Sequence, residues 1–355
     1  MADLLELSAR VIDSGVVGQP VNRVTQELSE IEDGLAIVES FSHSIAVRTD
    51  EGLAVFDASG AATGHRVVRA LRAWSGDRLH SLVYTHGHVD HVGGSGAFVA
   101  DSVARHGTRP RVIAHENVRR RFDRYRLTDG WNVAINARQF GGIRDRSPSI
   151  GGGGWPGADG GEPPHFLPDD VAEPDTTFGD RLVVVIGGLD LELHHARGET
   201  DDHTWAWIPE RRAICCGDFL IWNFPNAGNP QKVQRYPSEW AAALRAMASF
   251  EPELLLPAHG LPIAGVARIQ RVLGDVAEAL ERLVTEVVAM MNAGSTLDEI
   301  VHTVSVPPDT LAKPYLRPLY DEPEFVVRNV WRLYGGVVGR EPRPAQARPR
   351  LVGRR

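Results

Sequence analysis

The chain has 355 residues, 43% of them apolar, and a formal net charge of −8 with its histidines neutral. That length allows one large domain with an appendage or two domains, with enough apolar residues for a buried core. The acidic balance counts against a general nucleic-acid binder, which needs a positive surface, but leaves room for local basic patches that hold a small anion.

The first residues, MADLLELSARVIDSG, are acidic and lack a basic region followed by an apolar run, so no secretion signal is expected. No stretch reaches the roughly eighteen apolar residues of a membrane span, and the cytoplasm is the default location. Residues 35–39 (LAIVE), 44–48 (SIAVR) and 53–57 (LAVFD) predict successive strands of a hairpin or meander. Residues 64–75 have helical spacing, with Val67, Val68, Leu71 and Trp74 near one face. LHSLVY (79–84) reads as a buried strand, SGAFVADSVAR as a short helix and RVIAH (111–115) as another strand. This alternation predicts α/β layers. Residues 116–180 include SPSIGGGGWPGADGGEPPHFLPDD and are expected to be largely loop. Strands return at 181–188, 189–196, 203–209 and 212–220, followed by a helix over 239–250 and a strand at 254–257.

From about 265 to 291, Val266, Ile269, Leu273, Val276, Leu280, Leu283, Val287 and Met291 keep three- and four-residue spacing, which predicts a long amphipathic helix. Thr296 and Glu299 form a possible capping box for the next one. The domain reading is a catalytic unit over 1–262, a helical unit over 263–340 and a loose, basic, Pro-rich tail over 341–355. Cys215 and Cys216 are adjacent and are the only cysteines, which excludes a disulfide framework and places them in a strand or core.

The stretch THGHVDHVGG (85–94) sets three histidines and an aspartate within six residues, directly after an apolar strand and before a glycine pair. His86 and His88 alternate, so both can point to one side of an extended chain. Two imidazoles can hold one divalent ion, and Asp90 with His91 can begin a second site. Gly87 is expected to let the backbone approach the ions. Further ligands are sought at other strand ends, and Glu199 (ARGETDDH), Asp218 (CCGDF) and His259 (PAHG) fit that position. The seven positions suffice for two ions with a bridging water, whereas a structural zinc site usually closes with about four ligands. His194, His195 and His203 lie near Glu199 and are read as supporting or surface histidines, or as ligands under a shifted register. The segment NFPNAGNPQKVQRYPSEW (223–240) follows Asp218 and carries Asn226, Lys232 and Arg235, donors that suit an anion. Tyr125 and Arg126 are further pocket candidates, and Trp131 and Trp155 candidates for a lid.

With these residues the chain resembles the metallo-beta-lactamase fold superfamily over roughly residues 30–262. The resemblance implies an α/β fold, a four-layered αββα sandwich, with metals at the edge between the two sheets. A helical C-terminal extension would follow. The superfamily's usual G-H-T motif reads G-E-T here, with Glu199 in the histidine's place. In this the chain is similar to the alkylsulfatase branch, which has glutamate there and an acidic residue about twenty positions later that bridges the metals. Asp218 stands nineteen positions after Glu199 and is shorter than the glutamate of that branch.

Carried over by this resemblance, one ion would use His86, His88 and Glu199, and the other Asp90, His91 and His259. Asp218 would bridge them, and Asp218 with Asp90 would position the attacking water. Zinc suits the mixed ligands, and manganese or iron remain open. Asn226 and Arg235 match an asparagine and an arginine that contact the sulfate group, while Lys232 has no firm counterpart. Residues 266–340, including NVWRLYGGVVG (329–339), resemble the alkylsulfatase dimerisation domain and imply a homodimer. The sterol-carrier-like domain of full-length alkylsulfatases would begin where this sequence stops, which counts against a long-chain substrate. The expected activity is dimetal hydrolysis of a small anionic ester, an alkyl sulfate foremost. The alternative is a carboxylic ester, lactone or β-lactam hydrolase of the same fold.

Overall fold

The computed structural model describes residues 3–139, 165–230 and 232–336. The glycine-rich stretch with Trp155 and the basic tail of 341–355 lie outside them. Among the described residues, seven strands form one sheet in the order β1 (Leu28–Glu32), β2 (Leu35–Val38), β3 (Ser44–Thr49), β4 (Gly52–Phe56), β5 (Leu79–Val83), β6 (Arg111–His115) and β7 (Thr176–Phe178). The first four pair antiparallel, and β4 to β7 run parallel. The second sheet comprises β8 (Arg181–Ile186), β9 (Leu189–His195), β10 (Thr204–Ile208), β11 (Ala213–Gly217), β12 (Leu254–Pro257) and β13 (Ile263–Ala264) in spatial sequence. Its pairs are antiparallel except β11 with β12.

Strand periodicity builds the layers, because successive side chains leave a strand on opposite faces. Ile45, Val47, Ala54 and Phe56 face a cluster shared with Val184, Leu191, Leu193 and Ala206, so the two sheets meet there. Ala46, Leu53 and Val55 face the other way, into a cluster with Val67 and Leu71 of α2 (Gly64–Trp74) and Phe98 of α4 (Ser95–His106). The single turn α3 (Val89–Val92) lies between these two helices in the chain. Outside the second sheet, Trp205, Trp207 and Ile214 meet Leu4 and Leu7 of α1 (Leu4–Ser14). Each fully buried Leu, Ile, Val or Phe contributes about 1.5–3 kcal/mol, so both faces of both sheets drive folding. The adjacent cysteines divide between faces: Cys215 belongs to the inter-sheet cluster and Cys216 to the outer one, both as free thiols.

The stretch expected to be largely loop begins with two helices, α5 (Asn117–Leu127) and α6 (Asp129–Gln139). Val118, Phe122 and Tyr125 supply an apolar stripe that the arginines of NVRRRFDRYRL conceal. After α7 (Pro237–Ser249), the long helix α8 (Val266–Asn292) is followed by α9 (Leu297–Thr303), α10 (Pro308–Leu311) and α11 (Pro323–Leu333). The Thr296–Glu299 capping box forms as expected. Along α8, Ile269, Leu273, Val276, Leu280, Leu283 and Val287 are buried within one chain, against Trp240 and Leu244 of α7 and Val326 and Val330 of α11. The apolar stripe thus packs on its own chain, and no helix among the described residues is long and apolar enough to cross a membrane.

Candidate metal centre

The candidate ligands gather where strands of both sheets end. β5 delivers His86 and His88, and α3 carries Asp90 and His91. Glu199 follows β9, Asp218 follows β11 and His259 follows β12. Donor atoms of His86, His88, Glu199 and Asp218 lie within 4.8 Å of one another, as do those of Asp90, His91 and His259. Asp218 faces both groups. Its Oδ1 is 3.3 Å from His91 Nε2 and 3.5 Å from His259 Nε2, and its Oδ2 is 3.8 Å from His86 Nε2. His88 Nδ1 lies 3.8 Å from Glu199 Oε1, and Asp90 Oδ2 lies 3.4 Å from His259 Nε2.

The separations of 3.3–3.5 Å around His91 and His259 suit a cation, while in the other group His86 Nε2 and His88 Nδ1 are hydrogen-bonded to each other at 2.9 Å. Donors around a tetrahedral ion with bonds of about 2.0–2.2 Å stand about 3.3–3.6 Å apart. His91 Nε2 and Asp218 Oδ1 are buried and have no hydrogen-bond partner, the condition of atoms meant for a ligand. Burial disfavours a charged His259, yet Asp218 and Asp90 overcome that and raise it to about 10. His91 is likewise driven well above its ordinary value, against burial, by Asp218, Asp90 and Asp57. The same negative field would favour a divalent cation. Burial pushes the Glu199 carboxyl up to about 8 against the opposing pull of Arg235, while His91 and His259 hold Asp218 well below the carboxylate range despite burial.

Several supporting residues carry no obvious label in the sequence. Asp57, at the end of β4, accepts from His91 Nδ1 at 2.8 Å and from the amide and hydroxyl of Thr85. That bond leaves His91 Nε2 free to face Asp218, the arrangement by which an outer carboxylate orients a ligating imidazole. The LAVFDASG pattern, a strand followed by Asp and then Gly, was a signal for it. Asp202 accepts from the Gly87 amide at 3.1 Å and from Arg121 Nε at 2.6 Å, tying α5 to the histidine loop. A Cβ on Gly87 would come within 2.8 Å of Arg121 Cδ and 3.0 Å of Asp202 Oδ2. The glycine therefore makes room for this pair rather than for ions. His203 Nε2 accepts from the Asp218 amide at 3.1 Å, and burial lowers its pKa to about 3, so it acts as a neutral acceptor.

The other candidates divide. His194 stacks on Trp205, and His195 stacks on His115 with its Nδ1 at the His203 carbonyl. Neither histidine joins the two donor groups. Asn226 Nδ2 donates to Glu199 Oε1. Arg235 Nη1 donates to the Glu199 carbonyl and lies 3.2 Å from its Oε1. Both residues expected to face an anion therefore hold Glu199. Lys232 Nζ donates to Asn136 Oδ1 on α6 at 2.9 Å, and burial, aided by Arg235, lowers it to about 8. Tyr125 is buried in the core, its ring in edge contact with Phe166. Arg126 pairs with Glu173 at the surface, and Trp131 is exposed on α6.

The family profile described as the metallo-beta-lactamase superfamily matches residues 37–259, the span that holds both sheets' main strands and every candidate ligand. The chain belongs to the metallo-beta-lactamase superfamily. Within it, the chain is 27% identical over 325 residues to a linear primary-alkylsulfatase of Pseudomonas sp. (strain ATCC 19151). That match covers 86% of this chain and 59% of the alkylsulfatase. The solved stereoselective inverting sec-alkylsulfatase of Pseudomonas sp. superposes with a TM-score of 0.73 at 20% identity, over 90% of this chain and 52% of its own. A metallo-beta-lactamase family protein of Thermus thermophilus gives 0.52 at 16% identity, over 86% and 95% of the two chains. The metallo-beta-lactamase fold, with a helical C-terminal region, is thereby the architecture of this chain, which spans little more than half the length of the alkylsulfatases it matches.

Proposed function

We propose that this protein hydrolyses a small anionic ester, an alkyl sulfate first, with two divalent ions, zinc foremost. The observation that carries this reading is the placement of Asp218 between the His86–His88–Glu199 group and the Asp90–His91–His259 group, next to the buried Arg235. When bound, such ions act as Lewis acids and bring water near deprotonation at neutral pH. In this reading, His86, His88 and Glu199 hold one, Asp90, His91 and His259 the other, and Asp218 both.

The remaining chemistry belongs to the side chains. Asp218 and Asp90 accept hydrogen bonds from the attacking water and orient it. Asp57 keeps His91 in the tautomer that presents Nε2. The Nε of Arg235 has no hydrogen-bond partner and supplies a donor for the ester's anionic group. Lys232 adds a half-buried cation nearby. A homodimer that binds no nucleic acid and has no membrane span completes the reading. It rests on the acidic charge and on the resemblance of residues 266–340, and a dimer mass in light scattering is the expected result.

A second reading is carbonyl hydrolysis of a carboxylic ester, lactone or β-lactam. It is favoured by the engagement of Asn226 and Arg235 with Glu199 rather than with open space. One experiment separates the two. Metal-reconstituted protein is assayed for inorganic sulfate release from short and long alkyl sulfates, with His88→Ala as the blank. Release that depends on His88 supports the sulfatase. Lactone turnover without sulfate release, at full metal content, replaces it with the second reading.

A further inference from the structure

The segment carrying Asn226 and Arg235 is held by the C-terminal helical region. The Phe224 amide donates to the Arg317 carbonyl at 2.9 Å. Gly228 lies so close to α11 that a Cβ there would come within 2.1 Å of the Phe325 backbone. At the far end of the segment stands Asn329, in the middle of α11 and 1% exposed. Its Nδ2 donates to the Arg235 carbonyl at 3.0 Å, and its Oδ1 accepts from Gln234 Nε2 at 2.8 Å, with the Arg235 amide at 3.5 Å. Asparagine is a poor helix former, and a buried carboxamide costs free energy unless its donors and acceptors are met. Here the carboxamide serves as a peptide-like partner for the backbone of Arg235, while α11 is anchored in the core through Val326, Val327 and Val330.

From Arg235 the connection runs directly to Glu199, through the guanidinium contact with its carbonyl and carboxylate. We propose that Asn329 is a positioning residue: through Arg235 it fixes Glu199, and so tunes cation binding by the His86–His88–Glu199 group. The C-terminal helical region is then a working part of the candidate centre as well as a packing element. This rests on the metal reading of that group and is independent of which ester is cleaved.

The test uses the full chain with Zn2+ alone, titrated against a chromophoric chelator, in wild type, Asn329→Asp, Asn329→Leu and Arg235→Ala. Partners that orient a metal ligand typically change affinity by about 10–100-fold, and Asn329 acts one residue further out, so about a 3–10-fold loss at one of two ions is expected. Asn329→Asp keeps the acceptor and loses the donor to the Arg235 carbonyl, so it serves if the leucine variant does not fold. In the Arg235→Ala background, Asn329→Asp should add no further loss, because both act through one contact. Folded variants with Zn2+ affinity within two-fold of wild type overturn the proposal, as does full additivity with Arg235→Ala. A wild-type chain that binds no Zn2+ overturns the metal reading itself. Deuterium uptake over residues 232–236 then decides the contact, since unchanged uptake in Asn329→Asp removes Asn329's hold on Arg235.

Discussion

Residues 85–94 and residues 223–235 both border the candidate centre, yet they are held there by different means. The histidine loop takes its form largely from itself and the neighbouring strand end: His86 and His88 alternate, Asp90 and His91 share one turn, and Asp57 and Thr85 fix the His91 ring, with one distant tie from Asp202 to the Gly87 amide. Among its described residues, the second segment has no helix or strand of its own before α7. It is held by Glu199, by Asn136 of α6 and by Arg317, Phe325 and Asn329 from far along the chain. Chemistry that depends on spacing can be read locally, whereas chemistry that depends on long-range support cannot.

The comparison breaks most visibly at Asp218, which faces both donor groups. Asp218→Ala should cost more than the roughly 100-fold of an outer partner at both ions. Metal analysis of gel-filtered protein should show fewer than two ions, and retention of both would remove the bridging role. Asp57→Asn tests the local half alone. It should weaken the ion held by His91 by about 10–100-fold and spare the other, as read by chelator competition. Equal losses at both ions would mean that Asp57 supports the fold rather than one imidazole.

Proton competition sharpens the contrast further. His259 is raised to about 10 by Asp218 and Asp90 against its burial, so chelator-stripped protein carries that proton at neutral pH. A cation must displace it, so apparent affinity should rise with pH by about tenfold per unit per displaced proton, levelling off above pH about 10. Calorimetry in two buffers of different ionisation enthalpy counts the protons released, and zero release would contradict the assignment. The smallest effect is expected outside both regions. Arg245 pairs with Glu281 at the surface, both about half exposed, and Arg245→Ala should change unfolding free energy by less than about 1 kcal/mol. A larger shift in denaturant midpoint would mean that the α7–α8 contact depends on this pair.

The sequence by itself determined much of this protein. Short apolar runs over 35–57 and 181–220 placed most strands to within a residue or two, because a strand buried on both faces reads as a near-continuous apolar run. The H-x-H-x-D-H spacing and three strand-end residues named all seven members of the two donor groups, because strand ends are where rigid backbone meets variable loop. The strands β7 and β13 escaped, being too brief for periodicity to register, β1 (LSEIE) escaped because it is mostly polar, and arginines hid the stripe of α5. Only the tertiary structure decided what stands behind the donors. Asp202 with Arg121 needs the connection between β9 and β10 brought to α5, and Tyr125 went to the core because α5 turns its apolar stripe inward. Asn226 and Arg235 look in the sequence like free anion binders, yet in the fold they hold Glu199. A buried carboxylate draws the nearest donors to itself, and which donors are nearest is settled by packing between residues far apart in the chain.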